Sequence, residues 1–238
     1  MYDRLDYTCS EEMCEQMASE CDTAIVAFST GKDSIAAWLQ MRKYFKKIVP
    51  YYCYCVPGLS FVQDSLKYYE DFFGQHIYQL PHRSFYRWIH ALTFLPPDRV
   101  TWAENLDCPG DEYDDTTIGE IIRSSGHLPD AAYTGTGVRM ADSPMRRIGI
   151  KTHGAVNHNG KRFFPVYDWN KERLVKEISQ SGVKLPIDYK LFGRTFDGLD
   201  YRFLVEMRDH LPEDYARVLE WFPLADLEIY RREVLSRV

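Results

Sequence analysis

"TAIVAFSTGKDSIAAWL" runs from Thr23 to Leu39. Its first six residues are an unbroken apolar run of strand length, the pattern of a strand buried on both faces of a parallel sheet. The run stops at Ser29-Thr30-Gly31, and from Ser34 to about Lys46 the apolar residues Ile35, Trp38 and Leu39 recur three and four apart, which predicts a helix. A strand that turns into a helix this way aims backbone N–H groups and the positive end of a helix dipole at one point. Gly31 allows the backbone to approach an anion closely. Lys32 adds a point charge suited to a phosphate, and Asp33 is suited to hold a magnesium ion bridging phosphate oxygens. The stretch does not fit GxxxxGK[ST], because Asp33 follows Lys32 and Val26 stands where that pattern wants a glycine. A plain strand-to-helix turn with polar caps is the competing interpretation.

The same alternation continues outward. "IVPYYCYC" (48 to 55), "HIYQL" (76 to 80) and "AAYTGT" (131 to 136) have the length and composition of further strands. "FVQDSLKYYEDFFG" (61 to 74) places Val62, Leu66, Tyr69 and Phe73 on one helical face, with Gly74 as C-cap. Residues 10 to 21 predict a short helix with Ser10 as N-cap, and 84 to 92 and 116 to 125 are also helical in pattern. "DCPGDEYDD" (107 to 115) is an acidic loop. The segment around Arg139 and Arg146 forms a charged loop, and the turn-rich stretch after it holds one hairpin at Asn159-Gly160. A helix capped by Asn170 and stopped by Gly182 follows, then a helical tail interrupted at Pro212 and Pro223.

Strands alternating with helices imply βαβ crossovers. The expected fold is Rossmann-like α/β of the HUP type, a mostly parallel sheet with helices on both faces plus a helical C-terminal extension. Residues 1–200 form the α/β domain, with an N-terminal helix in 1–22, and 201–238 form the extension packed on the same unit.

Composition narrows the class of function. The 238 residues are 45% hydrophobic and 27% charged, with 17 Tyr and 13 Phe, so a sizeable core can form. A net charge of -6 argues against coating duplex nucleic acid by bulk electrostatics. No apolar run approaches the roughly 20 residues of a membrane span. The start, "MYDRLDYTCSEEMCEQ", lacks the basic-then-apolar order of a signal peptide, so a cytoplasmic location is expected. The six cysteines are then reduced thiols.

Two segments carry a family resemblance. "FSTGKDS" (28 to 34) closely resembles the PP-loop, usually Ser-Gly-Gly-x-Asp-Ser, of the adenine nucleotide α-hydrolase family, where it cradles pyrophosphate after the first strand. It departs at Thr30, which replaces a glycine and does not readily take a positive φ. "YTGTGVRMADSPMRRIGI" (133 to 150) resembles the Gly-x-Arg-x-x-Asp-Ser-x-x-Arg segment of phosphoadenosine phosphosulfate (PAPS) reductase-like proteins. Weaker echoes follow the second strand and lie in "FFPVYDWNKERLVKEI", where Pro165, Trp169 and Val175 match loosely. The resemblance implies a nucleotide site made by Phe28, Ser29, Thr30, Gly31, Lys32, Asp33, Ser34, Gly135, Thr136, Gly137, Arg139 and Asp142. It implies catalytic roles for Lys32, Asp33, Arg139 and Arg146, with Asp33 as magnesium ligand. Arginine forks suit phosphate or sulfate oxygens.

One departure redirects the chemistry. The reductases of that family use a C-terminal cysteine as nucleophile, and many add cysteines for an iron–sulfur cluster. Here no cysteine follows Cys108, so no cluster is expected, and the intact GKDS points to ATP. Cys53, Cys55, Cys14 and Cys21 are read as small apolar residues, and Cys108 as the one thiol placed for reactivity. His153 and His158 flank a turn, either solvated or lining a cleft.

The expected function is ATP-dependent cleavage between the α- and β-phosphates with magnesium, a transferase or hydrolase step that adenylates an acceptor or releases pyrophosphate. Nucleic acid enters only as a modification substrate, and a protein partner or homo-oligomer stays open. Two alternatives stand beside it: a PAPS reductase or sulfurtransferase that borrows a partner's thiol, and a regulatory module that binds nucleotide without turnover.

Overall fold

The structure, a computed structural model, describes residues 7–106 and 113–235. In chain order the elements are α1 (Ser10–Glu20), β1 (Thr23–Ala27), α2 (Lys32–Met41), β2 (Lys47–Tyr54), α3 (Ser60–Phe73), β3 (Tyr78–Pro81), α4 (Arg83–His90), α5 (Val100–Asn105) and α6 (Asp115–Ser125). After these come β4 (Thr134–Gly135), α7 (Pro144–His153), β5 (Val156–Asn157), β6 (Arg162–Phe163), α8 (Lys171–Ser181), α9 (Asp188–Leu191), α10 (Tyr201–His210), α11 (Pro212–Trp221) and α12 (Asp226–Leu235).

The strands form one six-stranded sheet in the order β3-β2-β1-β4-β6-β5. β1 is parallel to β2 and to β4, β4 is parallel to β6, and β5 alone is antiparallel, to β6. This is the mostly parallel, helix-flanked Rossmann-like α/β architecture that the alternation predicts. The chain divides into two compact units: Met1–Tyr52, Glu70–Tyr78 and Tyr113–Leu185 form the first, and Cys53–Tyr69, Gln79–Glu112 and Pro186–Val238 the second. Among the described residues no helix is long and apolar enough to cross a membrane.

In the first unit, β1 buries Thr23 to Val26 completely, as its apolar run requires. α2 packs on α8 and lays Trp38 flat on Phe73, ring centroids 3.9 Å apart, with Phe28 edge-on to Trp38 at 5.0 Å. The Asn159-Gly160 turn does join an antiparallel pair, β5 and β6. Asn170 caps α8 by accepting the N–H of Arg173, and Gly182 ends it in the left-handed region at φ 74.

Three local expectations are corrected. Ser10 is not the cap of α1: Cys9 holds that position, and Ser10, the first helical residue, is buried. Its hydroxyl accepts from Trp169 Nε1 at 3.1 Å while its N–H donates to Asp168 Oδ2 at 3.2 Å, so a tertiary contact has taken the side chain a cap would use. The fourth strand is only two residues long, because a turn at Pro129, whose carbonyl accepts the Ala132 N–H, consumes its start. The segment holding Arg146 is not a loop but the helix α7, with Ser143 as N-cap and Pro144 in the first turn, where a missing N–H costs nothing.

In the second unit, α10 packs against α11 and α12, and the interrupting prolines, Pro212 and Pro223, begin new helical segments. Phe85, Trp88, Trp221 and Phe222 form one aromatic cluster there, and Phe61, Phe192, Phe196 and Phe203 another.

Candidate functional site

β1 and β4 are adjacent and parallel, and the strand order reverses between them: β2 follows on one side of β1, β4 on the other. Ligands of open α/β sheets sit outside the carboxyl ends of the strands at such a point. The two motif-bearing segments are the connections that leave β1 and β4 there.

The connection after β1 is a tight, internally bonded loop. Ser34 Oγ donates to the Gly31 carbonyl at 2.9 Å and accepts the Ser29 N–H at 3.1 Å, closing it across five residues. The helix begins at Lys32, two residues earlier than its apolar spacing indicates, with Gly31 as an N-cap that offers no side chain. A helix N-terminus leaves backbone N–H groups without intrahelical partners, and the N-cap glycine has no side chain to offer them. The left-handed residue is Thr30, at φ 60, while Gly31 is ordinary extended backbone at φ -72. A β-branched residue in that region costs on the order of 1–3 kcal/mol and persists only where its surroundings hold it. Thr30 is buried, and its hydroxyl donates to the Ser29 carbonyl at 2.6 Å. Phe28 enters the loop through its backbone, for its ring lies in the core.

The connection after β4 is pressed onto that loop. A Cβ on Gly137 would lie 2.5 Å from the carbonyl carbon and oxygen of Asp33 and 2.7 Å from the Ser34 nitrogen, so only glycine permits the contact. Gly135 serves packing instead: its Cβ would strike Met41 Sδ at 2.5 Å. Two residues past Gly137, Arg139 is buried and clamps the loops together. Its Nη2 lies 2.9 Å from Asp33 Oδ1 and 2.7 Å from Asp142 Oδ1, and its Nη1 donates to the Trp169 carbonyl at 3.4 Å. Asp142 also accepts the Arg139 backbone N–H and pairs with Arg146 Nη1 at 2.7 Å. Lys32 Nζ completes the chain at 2.8 Å from Asp33 Oδ2.

Lys32, Arg139 and Arg146 thus alternate with Asp33 and Asp142, leaving one positive charge in excess beside the N-terminus of α2. Two buried polar atoms of this cluster have no hydrogen-bond partner among the described residues: Asp33 Oδ1, whose approach to Arg139 is an ion pair rather than an aligned bond, and Arg139 Nε. Buried polar atoms are nearly always satisfied, so such a pair of orphans marks a place built for a polar ligand or water. Asp33 is the carboxylate here that could hold a magnesium ion, with both its oxygens facing cations in this structure. No cluster of three acidic, histidine or cysteine side chains that could hold a metal ion occurs among the described residues.

Sequence reasoning missed Trp169 as a site residue: its carbonyl holds Arg139 from 30 positions away, and its buried ring, under the Arg173 guanidinium at 4.6 Å, fixes that carbonyl. The loose match at Trp169 was the available signal. Val175, matched beside it, is exposed. Among the thiols, burial pushes Cys14 and Cys55 up to about 12, which keeps both protonated at neutral pH. Cys108 and most of the 107–115 segment lie outside the described residues; Asp114 caps α6 by accepting the N–H groups of Thr116 and Thr117.

No protein-family model and no curated protein matches the sequence. Among solved structures the chain is similar to an NH3-dependent NAD synthetase from Campylobacter jejuni subsp. jejuni NCTC 11168 in complex with nitrate ion. That similarity has a TM-score of 0.45 and 9% identity and covers 93% of this chain and 92% of that one. It is also similar to a predicted subunit of a tRNA methyltransferase from Methanocaldococcus jannaschii, with a TM-score of 0.36 and 15% identity over 81% of this chain and 92% of that one. Likenesses this distant say nothing of substrate or reaction.

Proposed function

We propose that this protein is a PP-loop enzyme that binds ATP at the β1–α2 loop and cleaves it between the α- and β-phosphates. The observation that supports this most is the meeting of the two motif segments: Arg139, after β4, is ion-paired to Asp33, after β1, and Gly137 makes room for it. In this reading the N-terminus of α2 and Lys32 receive the β- and γ-phosphates. Arg139 and Arg146 neutralise charge that develops on the phosphates as the α–β bond breaks. Magnesium, when bound with the nucleotide, supplies further charge neutralisation on the leaving pyrophosphate. Both oxygens of Asp33 face cations in the ligand-free protein, so phosphate binding must draw Lys32 or Arg139 away from it. The ion-pair chain holds the site together until phosphate competes for its cations.

The intact GKDS and the absence of any cysteine after Cys108 in this sequence favour ATP over a sulfonucleotide. A ligand that binds only the folded state raises the melting temperature by mass action. ATP with magnesium should therefore raise Tm more than phosphoadenosine phosphosulfate does at equal concentration, and pyrophosphate should appear when an acceptor is supplied. Equal or reversed shifts would transfer the site to the PAPS reductase-like alternative, and a shift without turnover would support a binding module.

A further inference from the structure

A cavity of about 600 Å³ lies under α7, between that helix and the β5–β6 hairpin. Its floor is apolar, made by Val138, Ile150, Val156 and Phe164, and its rim carries Arg146, His153 and His158. Among its lining residues none is acidic. The size is that of a small-molecule site, not of a packing defect.

Gly149 gives an independent indication. It sits inside α7, where glycine destabilises a helix relative to alanine. Neither φ nor crowding asks for it: beyond its own turn of helix, nothing lies within 4 Å of the position its Cβ would occupy. That empty position lines the cavity. A residue that weakens its helix and relieves no clash keeps the space open.

We infer that this cavity holds the acceptor of the adenylyl group, and that the acceptor is a small organic acid with an apolar body. The inference rests on the ATP reading of the neighbouring loops. The charge on the rim selects an anion, and Arg146, the cation nearest the β1 and β4 loops, is paired to Asp142 and through it to Arg139. A carboxylate docked on Arg146 therefore lies at the end of the cavity that meets the phosphate site. The step needs no base: a carboxylate oxygen attacks the α-phosphorus, the bond from that phosphorus to the bridging oxygen breaks, and the electron pair leaves on pyrophosphate. The product is an acyl-adenylate. A hydroxyl acceptor would have to lose a proton, for which the cavity offers only the rim histidines His153 and His158, whereas a carboxylate needs no base at all.

The test uses the full chain, labelled with nitrogen-15, without nucleotide, titrated with benzoate and with its neutral counterpart benzamide. Benzoate should move the amide resonances of Gly149, Ile150, His153 and Val156 and bind about tenfold more tightly than benzamide. Arg146→Gln should erase the preference, and Gly149→Leu should abolish binding of both without lowering Tm. Equal binding of the two probes, no movement of those amides, or unchanged benzoate binding in Gly149→Leu would overturn the proposal. If the leucine variant does not fold, Arg146→Gln decides alone. Benzoate binding in a protein that gives no ATP shift would sink the ATP reading and leave an acid site. An ATP shift without benzoate binding would sink the acid site alone.

Discussion

Two helices follow the first two strands, and their N-termini are treated in opposite ways. α2, after β1, starts at a glycine that caps nothing. α3, after β2, starts under a carboxylate from another helix: Asp214 accepts the Ser60 N–H at 2.5 Å, the Ser60 hydroxyl at 2.8 Å and the Phe61 N–H at 3.3 Å. Asp214 is buried and among the described residues forms no ion pair, so the helix start is its charge partner. The α3 start is thus an anion site already filled by the protein. The α2 start carries a carboxylate too, Asp33 in its first turn, but this one is matched by the cations Lys32 and Arg139.

The largest effect expected from this contrast is at the filled end. Asp214→Ala removes three hydrogen bonds to a charged acceptor and strands the buried Phe61 N–H, which should cost about 3 kcal/mol in urea unfolding followed by tryptophan fluorescence. A loss under about 1 kcal/mol would mean that water caps α3 equally well, and the contrast would fail. At the open end the loss should fall on the ligand instead. Lys32 is 42% exposed, so Lys32→Ala should change stability by less than about 0.5 kcal/mol. The same change should weaken ATP–magnesium binding by about thirtyfold, or roughly 2 kcal/mol, in calorimetry. Unfolding of that variant would make the pair with Asp33 structural.

The smallest effect sharpens what a carboxylate costs when its own burial outweighs its hydrogen bonds. Asp188 is buried, accepts the Phe196 N–H at 2.9 Å, and is pushed above the usual carboxylate range, first by desolvation. The folded state then holds the proton more tightly than the unfolded chain, so stability falls as pH rises from the ordinary value near about 4 through the raised one. Asp188→Asn keeps an acceptor and removes that loss. Its stability relative to wild type should grow between pH 4 and pH 7 in matched urea titrations, and a flat difference would mean that the group is not shifted.

Legibility tracked how local the determinants were. β1, α2, β2 and α3 could be read because their own apolar spacing creates the buried face, as could α8 with Asn170 and Gly182 at its ends. α7 was hidden because Ile150 is its only buried side chain, so a pattern search sees charge and no stripe. Its Ser143-Pro144 start was the signal available. The ion-pair chain was legible as residue types but not as connections. That Arg139 would be buried, held by the Trp169 carbonyl and paired to Asp33, depends on contacts across 30 and 106 positions, which no window of sequence contains. Thr30 shows the opposite limit: sequence argues against a left-handed threonine, and the surrounding loop imposes one.

β4 has a consequence for how this sheet breathes. β1 is laddered to β2 over five residue pairs but to β4 over two, and β4 to β6 over two more. Amide hydrogens in β1 and β2 are thereby placed to exchange with solvent only when the whole unit opens, while those of β5 and β6 exchange through smaller, cheaper excursions. Arg139 and the cavity under α7 belong to the looser side, Lys32 and Asp33 to the tighter. A nucleotide gripped by both loops would act as a staple across that two-residue seam, and the slow-exchanging region of the protein would widen from two strands to the sheet beyond them.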